Sequence, residues 1–506
     1  MNRPCPPLWI AMIAFAGAGP ACSPHGVTER PASPVELPAS HGAENAAATP
    51  AEPTSTHKPE RWWRDFGDPE LDRLIDAGLQ GNFDLHAAWA RFAQAQATAD
   101  EVGAPRWPSL DAELGASISS RPFIPSQPPQ QIRGFSASLR AGYELDVWNR
   151  IGSGIKAAAL DRDAAADAVQ AMAITLSAEV TEAYLDLAEV RARRKMLERQ
   201  REISGTFVEL LQLRFGQGLS SAVEVNQQRQ GVLELDAQLE LTHSAEAVAA
   251  HRLALLLGKA PGSLALGARE DLPQPPPLPA LGIPSELLQR RPDVRAARRR
   301  VEAADHRVAA AVAARLPSLR LTGSITSSPN NRNNWLLDPA WNLAAGLLMP
   351  LIDGGSLAAR AERQRAVLSE AVASYGDAIV SALTEVQNAL VQSRQQRLQI
   401  ETIESQLEVA TVTLEQARQR YSNGLTDFLT VLTALRSQQQ VELSLLAAQR
   451  RQLSHRIQLY RALGGTWTRE LEQPQLLKPT AGDEDDAETA DTGAGGAGVQ
   501  AAGGRS

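Results

Sequence analysis

The chain repeats itself at a spacing of about two hundred residues, and this constrains the fold more than any other feature. Asn82-Phe-Asp-Leu-His-Ala-Ala88 is matched by Arg291-Pro-Asp-Val-Arg-Ala-Ala297. Arg106-Trp-Pro-Ser-Leu110 is matched by Arg315-Leu-Pro-Ser-Leu319; both pairs lie 209 positions apart (84 to 293, 108 to 317). Further on, Arg214-Phe-Gly-Gln-Gly-Leu-Ser220 is matched by Arg420-Tyr-Ser-Asn-Gly-Leu-Thr426, now 206 positions apart (218 to 424). A three-residue deletion in the loop between two strand-like segments accounts for the change. A fixed internal period of this kind marks two copies of one unit. Each copy reads as helix, strand pair, long helix, turn, helix.

The strand pairs, about 109–148 and 317–352, alternate with period two. Leu110, Ala112, Leu114, Ala116 and Ile118 alternate with Asp111, Glu113, Gly115, Ser117 and Ser119. Phe135 to Val147 does the same, with Arg140, Glu144 and Asp146 on the polar side. Leu319, Leu321, Gly323 and Ile325, then Trp341, Leu343, Ala345, Leu347, Met349 and Leu351, continue it in the second copy. Segments of about ten residues, apolar on one face and charged on the other, suit transmembrane β-strands. A soluble sheet with one wet face has the same alternation. The unbroken apolar face opposite charges, and a secretion signal, favour the membrane. Four strands are too few to close a barrel, which needs about eight. An open sheet in lipid leaves unpaired edges. The membrane reading therefore requires several copies of the chain.

The remainder is helical. From Ile155 to Arg214 apolar residues recur at three- and four-residue steps without proline, a rod of roughly 90 Å at 1.5 Å per residue. Leu357 to Tyr421 repeats it, and shorter return helices run over Ser221 to Leu257 and Thr426 to Leu463. Each copy thus predicts a long antiparallel coiled-coil hairpin, over about 155–257 and 357–463.

The ends read differently. Arg3 followed by the short apolar stretch Leu8 to Ala18 predicts a signal peptide over 1–21. Of the two cysteines, Cys5 would leave with it, so Cys22 becomes the only mature cysteine and a candidate lipidation site. Residues 22–60 predict a disordered tether and 469–506 an acidic, Gly/Ala-rich tail, leaving repeats over 61–281 and 282–468. Nothing past residue 20 reads as apolar enough to span a bilayer as a helix.

The net charge of −8 gives no footprint for nucleic acid. The run Arg290, Arg291, Arg295, Arg298, Arg299, Arg300 is flanked by acid and predicts a solvated helix face. Ser153-Gly-Ile-Lys156 matches a Ser-x-x-Lys pattern without companion motifs, and Gly258-Lys259 lacks the upstream glycine of a phosphate loop. The eight histidines are scattered; His243 and His251 are too far apart for one metal. No catalytic site, metal or cofactor is expected.

With these residues in order, the chain resembles the TolC-like outer-membrane efflux factors, especially their NodT/OprM lipoprotein branch. The carriers are the Pro-Ser-Leu strand openings at Pro108 and Pro317 and Arg291-Pro-Asp-Val294. Tyr143-Glu-Leu-Asp-Val-Trp148 and Pro350-Leu-Ile-Asp-Gly-Gly355 close the strand pairs, and the turns at Arg214 to Gly218 and Arg420 to Gly424 complete the set. The resemblance covers roughly residues 60 to 468. It implies a homotrimer with a twelve-stranded barrel in the outer membrane and a helical tunnel through the periplasm, exporting small molecules. It also implies a periplasmic adaptor (membrane fusion) protein and an inner-membrane pump as partners. The turns carrying Arg214, Gly218, Arg420 and Gly424 would form the adaptor-docking tip. Glu224, Asp427, Thr430 and Thr433 would lie at the pore constriction. A channel for secreted polypeptide, as in type I secretion, and a periplasmic coiled-coil adaptor protein are the alternatives.

Overall fold

The structure is a computed structural model that describes residues 23–28, 32–35, 61–121, 130–267, 269–279, 289–327, 339–465 and 467–471. The predicted signal peptide, Cys22, most of the tether and the acidic tail lie outside the described residues.

The first copy contains α1 (Pro69–Gly81), α2 (Phe83–Gly103), β1 (Ser109–Arg121), β2 (Gln130–Leu145), α3 (Arg150–Gly216) and α4 (Ala222–Leu256). The second contains α5 (Pro292–Ala313), β3 (Ser318–Ser327), β4 (Ala340–Leu348), α6 (Ser356–Ser422) and α7 (Phe428–Leu463). The two long helices are both 67 residues, about 100 Å each at 1.5 Å per residue. The return helices are 35 and 36 residues. Asp68 and Asn82 start α1 and α2 by accepting from the first free backbone N–H groups, and Pro69 fits the first turn, where no N–H is needed.

The core sits midway along α3. Trp62, Trp63 and Phe66 precede α1 and pack with Leu71, Leu74 and Ile75 against Val169 to Leu185 of α3 and Ile457 and Tyr460 of α7. Trp62 stacks on Tyr460 with ring centres 5.2 Å apart, and Trp63 meets Trp467 edge-on at 4.9 Å. These rings hold the segment ahead of α1 to the end of α7 and the turn after it. Each fully buried large side chain contributes about 1.5–3 kcal/mol of transfer free energy.

The four strands form one antiparallel sheet in the order β1-β2-β3-β4. The register sets Leu110 against Ala141, Leu139 against Ala112 and Ile325, Tyr143 against Leu321, and Leu343 against Gly323. The alternation in the sequence thereby becomes one continuous apolar face. It is uncovered: Leu114 and Trp341 are each 78% exposed. On the other face Arg140 pairs with Glu113 at 3.0 Å, and Glu144 lies 3.9 Å from Arg320. The outer edges of β1 and β4 carry no partner strand within the sheet. The fourth strand stops at Leu348, short of the alternation that runs to Leu351 in the sequence.

Three expectations need correction. The arginine run is not a solvated face. Arg295 and Arg299 converge on Asp167 of α3 at 2.7 and 3.1 Å, and that carboxylate is 2% exposed. Arg291 is buried and reaches Glu385 of α6 at 2.7 Å. These pairs bolt α5 to its neighbours. Second, part of the stretch read as a tether is docked. His25 Nε2 lies 2.7 Å from the Asp305 carboxylate, the Thr28 N–H donates to the same group at 2.8 Å, and Val35 packs on the α5–α6 core. Third, α6 contains an 18-residue stretch of mean hydropathy 1.3, long and apolar enough to cross a membrane by composition. Its cause is a run of Ala, Val and Leu whose Val367, Val372 and Val380 are exposed, a surface equally suited to packing on another helix.

Candidate functional site: sheet–helix junction and helical tip

Each strand pair hands over to its long helix through an aspartate. Asp146 accepts from the N–H groups of Ile151 (3.0 Å) and Gly152 (2.6 Å), and Asp353 from those of Gly355 (2.9 Å) and Leu357 (2.8 Å). The Leu357 and Gly355 N–H groups hold the Asp353 carboxyl below its ordinary range. The residue ahead of each helix turns left-handed, Asn149 at φ 57° and Gly355 at φ 83°. A carboxylate at a helix N-terminus also complements the helix dipole. Trp148 Nε1 donates to the Pro317 carbonyl at 2.7 Å, tying the first junction to the strand opening of the second copy. The rods are therefore fixed to the sheet at both junctions.

At the far end of the rods the two turns are built alike. Gly218 (φ 73°) donates to Phe215 and Leu219 to the Arg214 carbonyl at 2.9 and 2.8 Å. Gly424 (φ 71°) donates to Tyr421 and Leu425 to the Arg420 carbonyl at 3.0 and 2.9 Å. This nested pair of bonds closes a helix C-terminus and requires the left-handed conformation that glycine adopts freely. Arg214 and Arg420 stand in the last turn, where a cation meets the negative helix end. The turns are joined side by side. The Arg214 guanidinium lies 4.7 Å from the centre of the Tyr421 ring, Arg418 lies 5.0 Å from that of Phe207, and Phe428 packs beside both rings. The sequence reading missed this aromatic and cationic clasp; Tyr421 stood inside the repeated turn motif, but nothing there revealed what it faces.

The four candidate constriction residues follow these turns. Glu224 completes a capping box with Ser221 and accepts from the Ser221 N–H at 2.8 Å. Burial pushes its carboxyl up, but hydrogen bonds from Ser220 and Ser221 outweigh this and hold it below the ordinary glutamate range. Asp427 caps α7 instead, accepting from the Thr430 N–H at 3.2 Å and its hydroxyl at 2.8 Å. The second copy thus moves the carboxylate from the third helical position to the cap. Thr433 donates back to the Leu429 carbonyl at 2.8 Å. Asp427, Thr430 and Thr433 share one exposed face, whereas Glu224 is half-buried. All four lie together at one end of the molecule, and each also satisfies its own helix.

Other motifs build nothing comparable. Ser153 is buried in the first turn of α3, where it accepts from the Asn149 amide at 3.3 Å, while Lys156 is exposed. Among the described residues no group of three or more His, Cys, Asp or Glu could hold a metal ion.

A hairpin rod roughly 100 Å long, carrying a sheet with an exposed apolar face, defines a membrane channel component. The sequence model of the family described as outer membrane efflux protein matches this chain twice, over residues 74–259 and 283–465. The chain belongs to the outer membrane efflux protein family, and it is an efflux component of the outer membrane. The family is one of transport components and not of enzymes. The pyoverdine export outer membrane protein OpmQ of Pseudomonas aeruginosa is 31% identical over 80% of this chain and 87% of its own. Outer membrane protein OprJ of the same organism is 30% identical over 91% and 96%. The solved outer-membrane channel OprN superposes with a TM-score of 0.80 at 28% identity, covering 87% of this chain and 99% of that one. The outer membrane protein VceC of Vibrio cholerae gives 0.74 at 27%, covering 81% and 100%.

Proposed function

We propose that three copies of this chain pair their sheets edge to edge into one twelve-stranded barrel, with the hairpins forming a tunnel that exports small molecules across the periplasm. The observation that carries the reading is the four-strand sheet with an uncovered apolar face and two open edges. In lipid such edges must be paired, and further copies of the same sheet supply the partners. The apolar face then meets lipid, and Glu113, Arg140, Glu144 and Arg320 face the lumen.

Signal cleavage after Ala21 would leave Cys22 as a lipid-anchored N-terminus. His25, Thr28 and Val35 of the segment that follows lie on α5 and α6, and the repeats over 61–281 and 282–468 precede the tail. Arg214, Gly218, Arg420 and Gly424 present the tip to a periplasmic adaptor, which couples the tunnel to an inner-membrane pump. Glu224, Asp427, Thr430 and Thr433 narrow the pore just inside it. No chemical step is asked of the chain.

The test is accumulation of a small amphipathic dye in cells with and without the protein. The reading predicts higher accumulation without it, reversed by the intact chain. Unchanged accumulation together with loss of a secreted polypeptide would favour the protein-secretion channel.

A further inference from the structure

The two copies of the repeat are packed unequally. α5 lies between two long helices, α3 and α6, whereas α2 lies along α3 with its other side uncovered. Ala303 of α5 is fully buried, and Gln94, its counterpart 209 positions earlier, is exposed. The long helices differ in the same way. Asp167 of α3 is buried under Arg295 and Arg299 of α5, while Ala373 of α6, 206 positions on, is exposed. One seam therefore exists within the chain, with β2 and α3 on one side and β3 and α5 on the other. Its repeat counterpart would join β4 and α6 to β1 and α2, and the chain leaves both of these sides open.

The two bare helix faces continue the two strand edges that lack partners, because α2 runs into β1 and β4 runs into α6. Pro34 of the docked N-terminal segment packs beside Gly376, at the border of the α6 face. Two different faces of one chain that meet head to tail build a ring when the rotation between copies closes. The internal repeat supplies the pose, since α5 on α3 shows how such a pair sits.

We propose that the bare side of α2 docks on α6 of a second copy, in the pose that α5 takes on α3. The chemistry of the two seams differs. Arg295 and Arg299 correspond to His86 and Ala90, and Asp167 to Ala373, so the ion pairs of the intrachain seam have no counterpart at these positions. Arg307, which pairs with Asp161, corresponds to Thr98, and Asp161 to exposed Val367. Small side chains let helices approach closely, without the desolvation that burying an ion pair costs. At these positions the copies meet by shape, and the strand edges beside them pair. The proposal rests on the assembly reading and names the helices that meet.

Crosslinking of the full chain in native outer membranes tests it. With Ala90→Cys and Ala373→Cys together, a short bis-maleimide should convert most of the protein into covalent dimers and trimers. Either substitution alone should give none. Arg91→Cys with Ala373→Cys, which moves the first thiol about 100° round α2, should lose the crosslink. No crosslink between positions 90 and 373, or an equal yield between 91 and 373, in protein whose untreated mass is that of the assembly overturns the docking surface alone. An untreated mass of one chain overturns the assembly reading with it.

Discussion

The Asn82 side-chain amide donates to the Leu256 carbonyl at 3.0 Å and ties the start of α2 to the end of α4. The second copy has the same tie: Arg291, 209 positions on, donates to the Ala462 carbonyl, 206 positions on, at 3.0 Å. Asn82 also caps its helix by accepting from the Leu85 N–H at 2.9 Å, while Arg291 instead reaches Glu385. Asn82→Ala should cost about 1–2 kcal/mol, through the lost cap and an unsatisfied carbonyl. Arg291→Ala should cost more, about 2–3 kcal/mol, through the lost charged hydrogen bonds to Asp293, Glu385 and the Ala462 carbonyl. Arg291→Lys should rescue little, since one ammonium does not replace the fork. Thermal midpoints in detergent should rank wild type, Asn82→Ala, Arg291→Ala.

At the tip, a Cβ added to Gly218 or Gly424 would meet nothing within 4 Å, so substitution there strains only the backbone. Gly424→Val is expected to lower efflux with assembled protein unchanged. Parallel loss of assembly and efflux would reduce the glycine to a helix cap.

How far the sequence was legible follows its local patterns. The period-two segments gave the strands, because one face of a sheet shows itself directly in alternation. The long helices begin and end within a few residues of the expected places, since a proline-free apolar rhythm closed by Gly218 or Gly424 is self-contained. Arg295 and Arg299 were misread because their partner Asp167 stands well over a hundred positions away, and a run of cations does not display what it faces. His25 was hidden likewise, in a stretch whose composition resembles a linker but which meets Asp305. For the same reason the Arg214–Tyr421 contact could not be foreseen from either turn alone.

Glu224 carries a charge that its hydrogen bonds stabilise. In a ring of three it would favour cations. Glu224→Gln should shift the reversal potential under a salt gradient toward zero. Because its carboxyl is held below the ordinary glutamate range, wild-type selectivity should persist from neutral pH down through that range and fade only on further acidification. Selectivity unchanged in Glu224→Gln would assign it to Asp427 or to the outer mouth.

Cys22→Ser should abolish labelling of the protein by a fatty-acid probe while the barrel still inserts, because the sheet carries its own membrane affinity. Equal labelling of the variant would place any acyl chain elsewhere.

Copy number is the most direct test of the channel reading, because the edges of β1 and β4 have no partner strand among the described residues. Crosslinking in native outer membranes, followed by mass determination, should give a complex of three chains. A folded, stable monomer in the membrane would contradict the account.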